Sequence, residues 1–94
     1  MTFFYTRPAL DDLRGIVHYI SEDDTAAARR TADRIQDMIK QLEAMPQIGR
    51  PGRIDGTREL VVAGSPYLVI YRLDGSDVQI LRILHGAQLW PPKQ

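Results

Sequence analysis

Residues 66–91 read PYLVIYRLDGSDVQILRILHGAQLWP. Two apolar segments lie in this run, Tyr67 to Leu73 and Val78 to Leu84. Both are rich in Val, Ile, Leu and Tyr, which suit a pleated and mostly buried surface. Between them Asp74-Gly75-Ser76-Asp77 carries a turn signal, because Gly75 takes a positive φ at no steric cost. Neither segment alternates cleanly, so both faces are expected to be covered over part of their length. A hairpin at the centre of the fold follows. Arg72, Arg82 and His85 sit in or just beyond these apolar runs and need an explanation.

The chain has 94 residues, which predicts one domain over 1–94 with a modest stability margin. With 44% hydrophobic and 26% charged residues it has the composition of an ordinary globular protein. Cysteine is absent, so neither a disulfide framework nor a thiolate metal site is available, and no cofactor is expected. No leader pattern and no apolar run of membrane-spanning length is visible, which makes a reducing cytoplasm the expected location. Net charge is zero, from 12 Lys+Arg against 12 Asp+Glu. A nucleic-acid binder carries an excess of basic residues on one face. Direct binding to DNA is therefore not expected.

Upstream, Thr2 to Thr6 is a short β-prone opening, and Pro8 suits the first turn of a helix. Leu10, Leu13, Ile16, Val17 and Ile20 follow at helical spacing. Ser21-Glu22-Asp23-Asp24 breaks the pattern and supplies caps for a second helix from Thr25. There Ala28, Ala32, Ile35, Ile39 and Leu42 step by three or four, and Pro46 disfavours helix at Met45. Residues 46–56, PQIGRPGRIDG, read as loop, with three glycines, two prolines and two arginines. Thr57 to Val62 returns to strand character. The order β-α-α-β-β-β predicts an α+β fold, a helical hairpin on a small antiparallel sheet with the first strand at an edge.

The run from Gly49 to Pro91 resembles the RelE/ParE superfamily of toxins from type II toxin–antitoxin pairs. The resemblance rests on GRPGR, GTREL, the VIYR strand and ILRILHGAQ followed by WP. It implies a cognate antitoxin, a small DNA-binding protein similar to ParD, as partner. RelE-like members cut ribosome-bound mRNA with basic residues and often a Tyr or His, whereas ParE-like members inhibit DNA gyrase. In the nuclease members a basic residue precedes the apolar-apolar-Tyr run, where Leu68 stands here. Their Lys/Arg-rich or His-Tyr ending is replaced by Gly86-Ala87-Gln88-Leu89-Trp90. This chain therefore looks like the ParE side, with no catalytic set and DNA gyrase as the implied target. The alternative is an mRNA interferase using Arg58, Arg82 and His85.

For a target-binding surface the candidates are Arg50, Arg53, Arg72, Arg82, His85 and Trp90. Bland readings stand beside them. Arg72 and Arg82 either lie together on paired strands as a binding surface or pair with Asp74, Asp77 or Glu59. Arg50 and Arg53 are either partner contacts or solvated loop residues. Arg58 and Glu59 are expected to form a surface ion pair of little worth. His85 is either a general base or a hydrogen-bonded strand end. Trp90 either covers the sheet or anchors a target. On the helices, Leu10, Leu13, Val17, Ile35 and Ile39 belong to the core first, and whatever they leave uncovered is a groove for the antitoxin.

Overall fold

The computed structural model describes residues 2–86, 88, 90 and 91. Strand β1 (Thr2–Tyr5) leads into helix α1 (Arg7–Ser21), which turns into helix α2 (Thr25–Gln41). Strands β2 (Arg50–Pro51), β3 (Arg58–Val61), β4 (Tyr67–Asp74) and β5 (Asp77–His85) follow. They form one sheet in the order β1-β5-β4-β3-β2. No helix among the described residues is long and apolar enough to cross a membrane.

Local chemistry accounts for the helix ends. The Thr6 hydroxyl accepts from the Ala9 N–H and donates to the Ile80 carbonyl at 2.8 Å, so one residue caps α1 and ties it to β5. Pro8 sits in the first turn, where its missing N–H costs nothing. The Asp24 carboxylate caps α2 through the Ala27 N–H at 3.0 Å. The apolar stripe of each helix then covers one face of the sheet. Ala9, Leu13, Ile35, Ile39 and Leu42 meet Val69, Tyr71, Val78, Ile80 and Ile83 in the main core.

Two features of the sheet differ from the sequence-based expectation. The edge strand β1 pairs with β5 in parallel, so the sheet is mixed rather than purely antiparallel. A parallel pair needs a long crossover, and everything between residues 5 and 77 supplies it. Inside the predicted loop, Arg50 and Pro51 pair with Glu59 and Arg58 as the short strand β2. The central hairpin is as expected, with Gly75 at φ +60° in its turn. It contains a bulge: Ile70 faces Arg82 and Tyr71 faces Ile80, which leaves Leu81 as the extra residue.

Candidate functional site

Successive strand residues point to opposite faces, so β4 feeds two separate clusters. Val69 and Tyr71 enter the helix-covered core. Leu68 and Ile70 face the other way and form a second cluster with Leu84, against which Leu81 and Trp90 pack. Trp90 thus lies over the outer face of the sheet, and its carbonyl accepts from Arg53 Nη1 at 2.8 Å. Two other residues of this tail, Ala87 and Leu89, lie outside the described residues.

Glu59 projects onto the same outer face as Ile70, its partner in β4. It is the buried charged residue among the described residues, 2% exposed. Arg50 Nη2 donates to its Oε1 at 3.0 Å and the Arg53 N–H donates to its Oε2 at 3.0 Å. Burial pushes the Glu59 carboxyl up, but the Arg53 amide, the Arg50 hydrogen bond and the two arginine charges bring it below its ordinary value. The structure therefore corrects the Arg58–Glu59 pair. Neighbours along a strand face opposite ways, and Arg58 Nη1 instead donates to the Gly49 carbonyl at 2.7 Å.

That loop is closed from the core side by Tyr71, whose side chain is fully buried. Its hydroxyl donates to the Pro46 carbonyl at 2.8 Å and accepts from the Gly49 N–H at 2.9 Å. A Cβ at Gly49 would stand 2.6 Å from that hydroxyl oxygen, so glycine is required there. Burial pushes the Tyr71 phenol up, against the Gly49 N–H and the Arg58 charge, and it stays a donor.

Arg82 and Arg72 do not share a surface, contrary to one expectation. The bulge turns Arg82 toward α1, where Nε and Nη2 donate to the two Asp12 oxygens at 2.7 and 3.0 Å. Asp12 Oδ2 also accepts the Ile83 N–H at 2.9 Å, so this carboxylate fastens the bulge. Its hydrogen bonds raise the Arg82 pKa above the ordinary value, against the opposing pull of burial. Arg72, exposed and opposite Gln79, donates to the Gln79 side chain.

His85 ends β5 opposite Tyr67, edge-on to its ring at 5.7 Å between centroids. Arg58 faces Tyr71, four residues further along β4, about 13 Å at 3.3 Å per residue. Arg58, Arg82 and His85 therefore do not converge. Among the described residues no group of His, Cys, Asp and Glu is placed to hold a metal ion.

On the helices, Ile35 and Ile39 are completely buried, so these two antitoxin-contact candidates are corrected to core positions. Leu13 is core as well, 7% exposed with only an edge reaching the surface, while Leu10 and Val17 are half-buried. Leu10 and Leu13 line an open cleft of about 460 Å³ beside β1, with Phe3, Gln36 and Lys40. Leu13 and Val17 line a second, of about 410 Å³, between α1 and α2. Leu13 and Gln36 belong to both, so the two clefts adjoin along the α1–α2 seam, a groove in two parts.

Residues 3–90 match the family described as the ParE toxin of the type II toxin–antitoxin system parDE. The chain belongs to this family. It is 46% identical over 87 residues to the candidate toxin Y4kP of Sinorhizobium fredii, covering 93% of this chain and 90% of the relative. Toxin ParE3 of Caulobacter vibrioides is 39% identical, covering 86% of this chain and 82% of that one. Toxin RelE2 of the same bacterium is 38% identical, covering 90% and 94%. A solved chain of the chromosomal ParDE system from P. aeruginosa superposes with a TM-score of 0.72 at 31% identity, covering 90% of this chain and 95% of that one. The two-layer α+β arrangement is thus the fold of ParE-family toxins.

The motifs that carry the resemblance are largely fold locks in this chain. Gly49 and Tyr71 interlock, and Arg50, Arg53 and Glu59 form the outer clamp. Asp12 and Glu59 were missed as site-shaping residues. Period-two alternation around Arg58-Glu59 would have revealed Glu59. No local signal marks Asp12, whose partner lies 70 residues away.

Proposed function

We propose that this chain is the toxin of a type II pair that stops growth in the cytoplasm by binding DNA gyrase, without cutting RNA. The observation that carries this reading is the dispersal of the would-be nuclease set. RNA cleavage needs a base, an acid and a cation converging on one phosphate. Here Arg58 is committed to loop carbonyls and Arg82 to Asp12, and both stand apart from His85. Membership of the ParE family supports gyrase as the target. The outer face, with Arg50, Arg53, Arg72 and Trp90, is the proposed target surface. A cognate antitoxin neutralises the chain along the α1–α2 groove at Leu10, Leu13 and Val17.

Inducing the chain without antitoxin tests this. Negative supercoiling by gyrase should fall and replication should stop, while ribosome-bound transcripts stay whole by primer extension. Codon-specific cuts that His85→Ala abolishes overturn it in favour of an mRNA interferase.

A further inference from the structure

A third cleft, about 440 Å³, opens on the flank of α1 away from α2. Asp11, Gly15 and Tyr19 line it from one stripe of the helix, and Tyr67, Ile83 and His85 line it from the strand ends. Its chemistry differs from that of the antitoxin groove. The two clefts of that groove contain a permanent cation each, Lys40 beside Asp37 in one and Arg14 in the other. The third has two carboxylates and two phenol rings beside His85, with no lysine or arginine among its lining residues. Tyr19 is 75% exposed beside it, so its ring face is open to a partner.

The carboxylates are not equivalent. Asp12 is saturated by Arg82 and the Ile83 N–H. Asp11 meets only Arg7 among the described contacts, in an i,i+4 pair with side chains 79% and 56% exposed, a contact easily exchanged for another cation. Gly15 adds a separate indication. Glycine inside a helix costs about 1 kcal/mol relative to alanine. A Cβ at this position would meet nothing within 4 Å, so nothing described in the chain requires the glycine. Its absence of side chain leaves room for a partner's backbone to approach.

We propose that this cleft receives a lysine or arginine side chain of the cognate antitoxin. The ammonium or guanidinium sits against the Tyr19 ring and exchanges onto Asp11, while its aliphatic stem lies on Tyr67 and Ile83. The antitoxin is the occupant because the opposite flank of the same helix carries Leu10, Leu13 and Val17. A segment that crosses α1 reaches both flanks. The inference rests on the proposed antitoxin groove and adds the basic residue that partner must carry.

Calorimetric titration of the antitoxin into Tyr19→Ala and Asp11→Asn, at low and high salt, tests it. Each variant should bind about tenfold more weakly, and Asp11→Asn should lose part of the salt dependence. Tyr19→Phe, which keeps the ring face, should bind as the parent does. Both side chains are exposed, so melting temperatures should not move and misfolding is separable. Unchanged affinity in both variants, with Val17→Ala weakened, overturns the cation site and leaves the groove standing. Unchanged affinity in all three overturns both. Unchanged antitoxin affinity with lost growth inhibition assigns the cleft to the target and overturns the proposal as well.

Discussion

On the helix side of the sheet, Val69, Tyr71, Val78, Ile80 and Ile83 meet Leu13, Ile35, Ile39 and Leu42 in an apolar core, with the Arg82–Asp12 pair at its flank. One residue along the same strands, Leu68, Ile70 and Leu84 meet, among the described residues, Leu81 and Trp90. Beside that small strip the outer face is completed by the Arg50–Glu59–Arg53 clamp. The inner face is held mainly by apolar area, which changes little with pH or salt. The outer face adds a buried carboxylate whose contribution depends on its ionisation. A 94-residue chain has too few large apolar residues to seal both sides of a sheet. The second side therefore uses charge, and it leaves arginines at its rim.

Three substitutions probe that contrast. Breaking the inner face should cost most. Ile39→Ala opens a cavity at a fully buried site and should lower stability by about 3–5 kcal/mol, read as a large drop in melting temperature at every pH. Breaking the clamp should cost less and depend on pH. Glu59→Gln keeps the shape and removes the charge from between two half-exposed arginines, for about 2 kcal/mol at neutral pH. The folded-state pKa of Glu59 lies below its unfolded value. Its stabilisation is therefore present above the unfolded pKa and is lost as pH falls through the folded one. Urea titrations from neutral to acid pH should show the parent and Glu59→Gln converging as the pH drops. A gap that persists at low pH would mean that shape, and not charge, is what Glu59 supplies. The smallest effect is expected at the tail. Trp90 is only partly buried, so Trp90→Ala should cost about 1–2 kcal/mol while antitoxin affinity is retained. Loss of growth inhibition in that folded variant would sharpen the outer face into a target surface, and full retention would make Trp90 a cover alone.

The hairpin was legible because Val, Ile, Leu and Tyr crowd both strands and Gly75 marks the turn. The helices were legible because their apolar positions step by three and four and Thr6, Pro8 and Asp24 mark their starts. Strand β2 was not. Two residues, one of them Pro51, carry no strand period, and only pairing with Glu59 and Arg58 makes them a strand. The parallel seating of β1 was equally silent, since direction is decided by the far end of the chain. At the site, the arginines were legible as residues needing partners. Which partner each one takes depends on the bulge at Leu81 and on the face each residue points to. Ile35 and Ile39 misled as contact candidates because an apolar stripe reads the same whether it meets a sheet or a partner.

The seating of β1 against β5 also has a consequence in time. β1 is made first, and its neighbour in the sheet is the last strand made. At about 5–20 residues per second, the two are separated by roughly 4–15 s of synthesis. Throughout that interval β1 has no partner strand, and α1 lacks the carbonyl and the guanidinium that fasten Thr6 and Asp12. The β1–β5 ladder and the Asp12–Arg82 tie therefore form together, only after β5 has been made, and any partner that needs the closed sheet must wait for that strand.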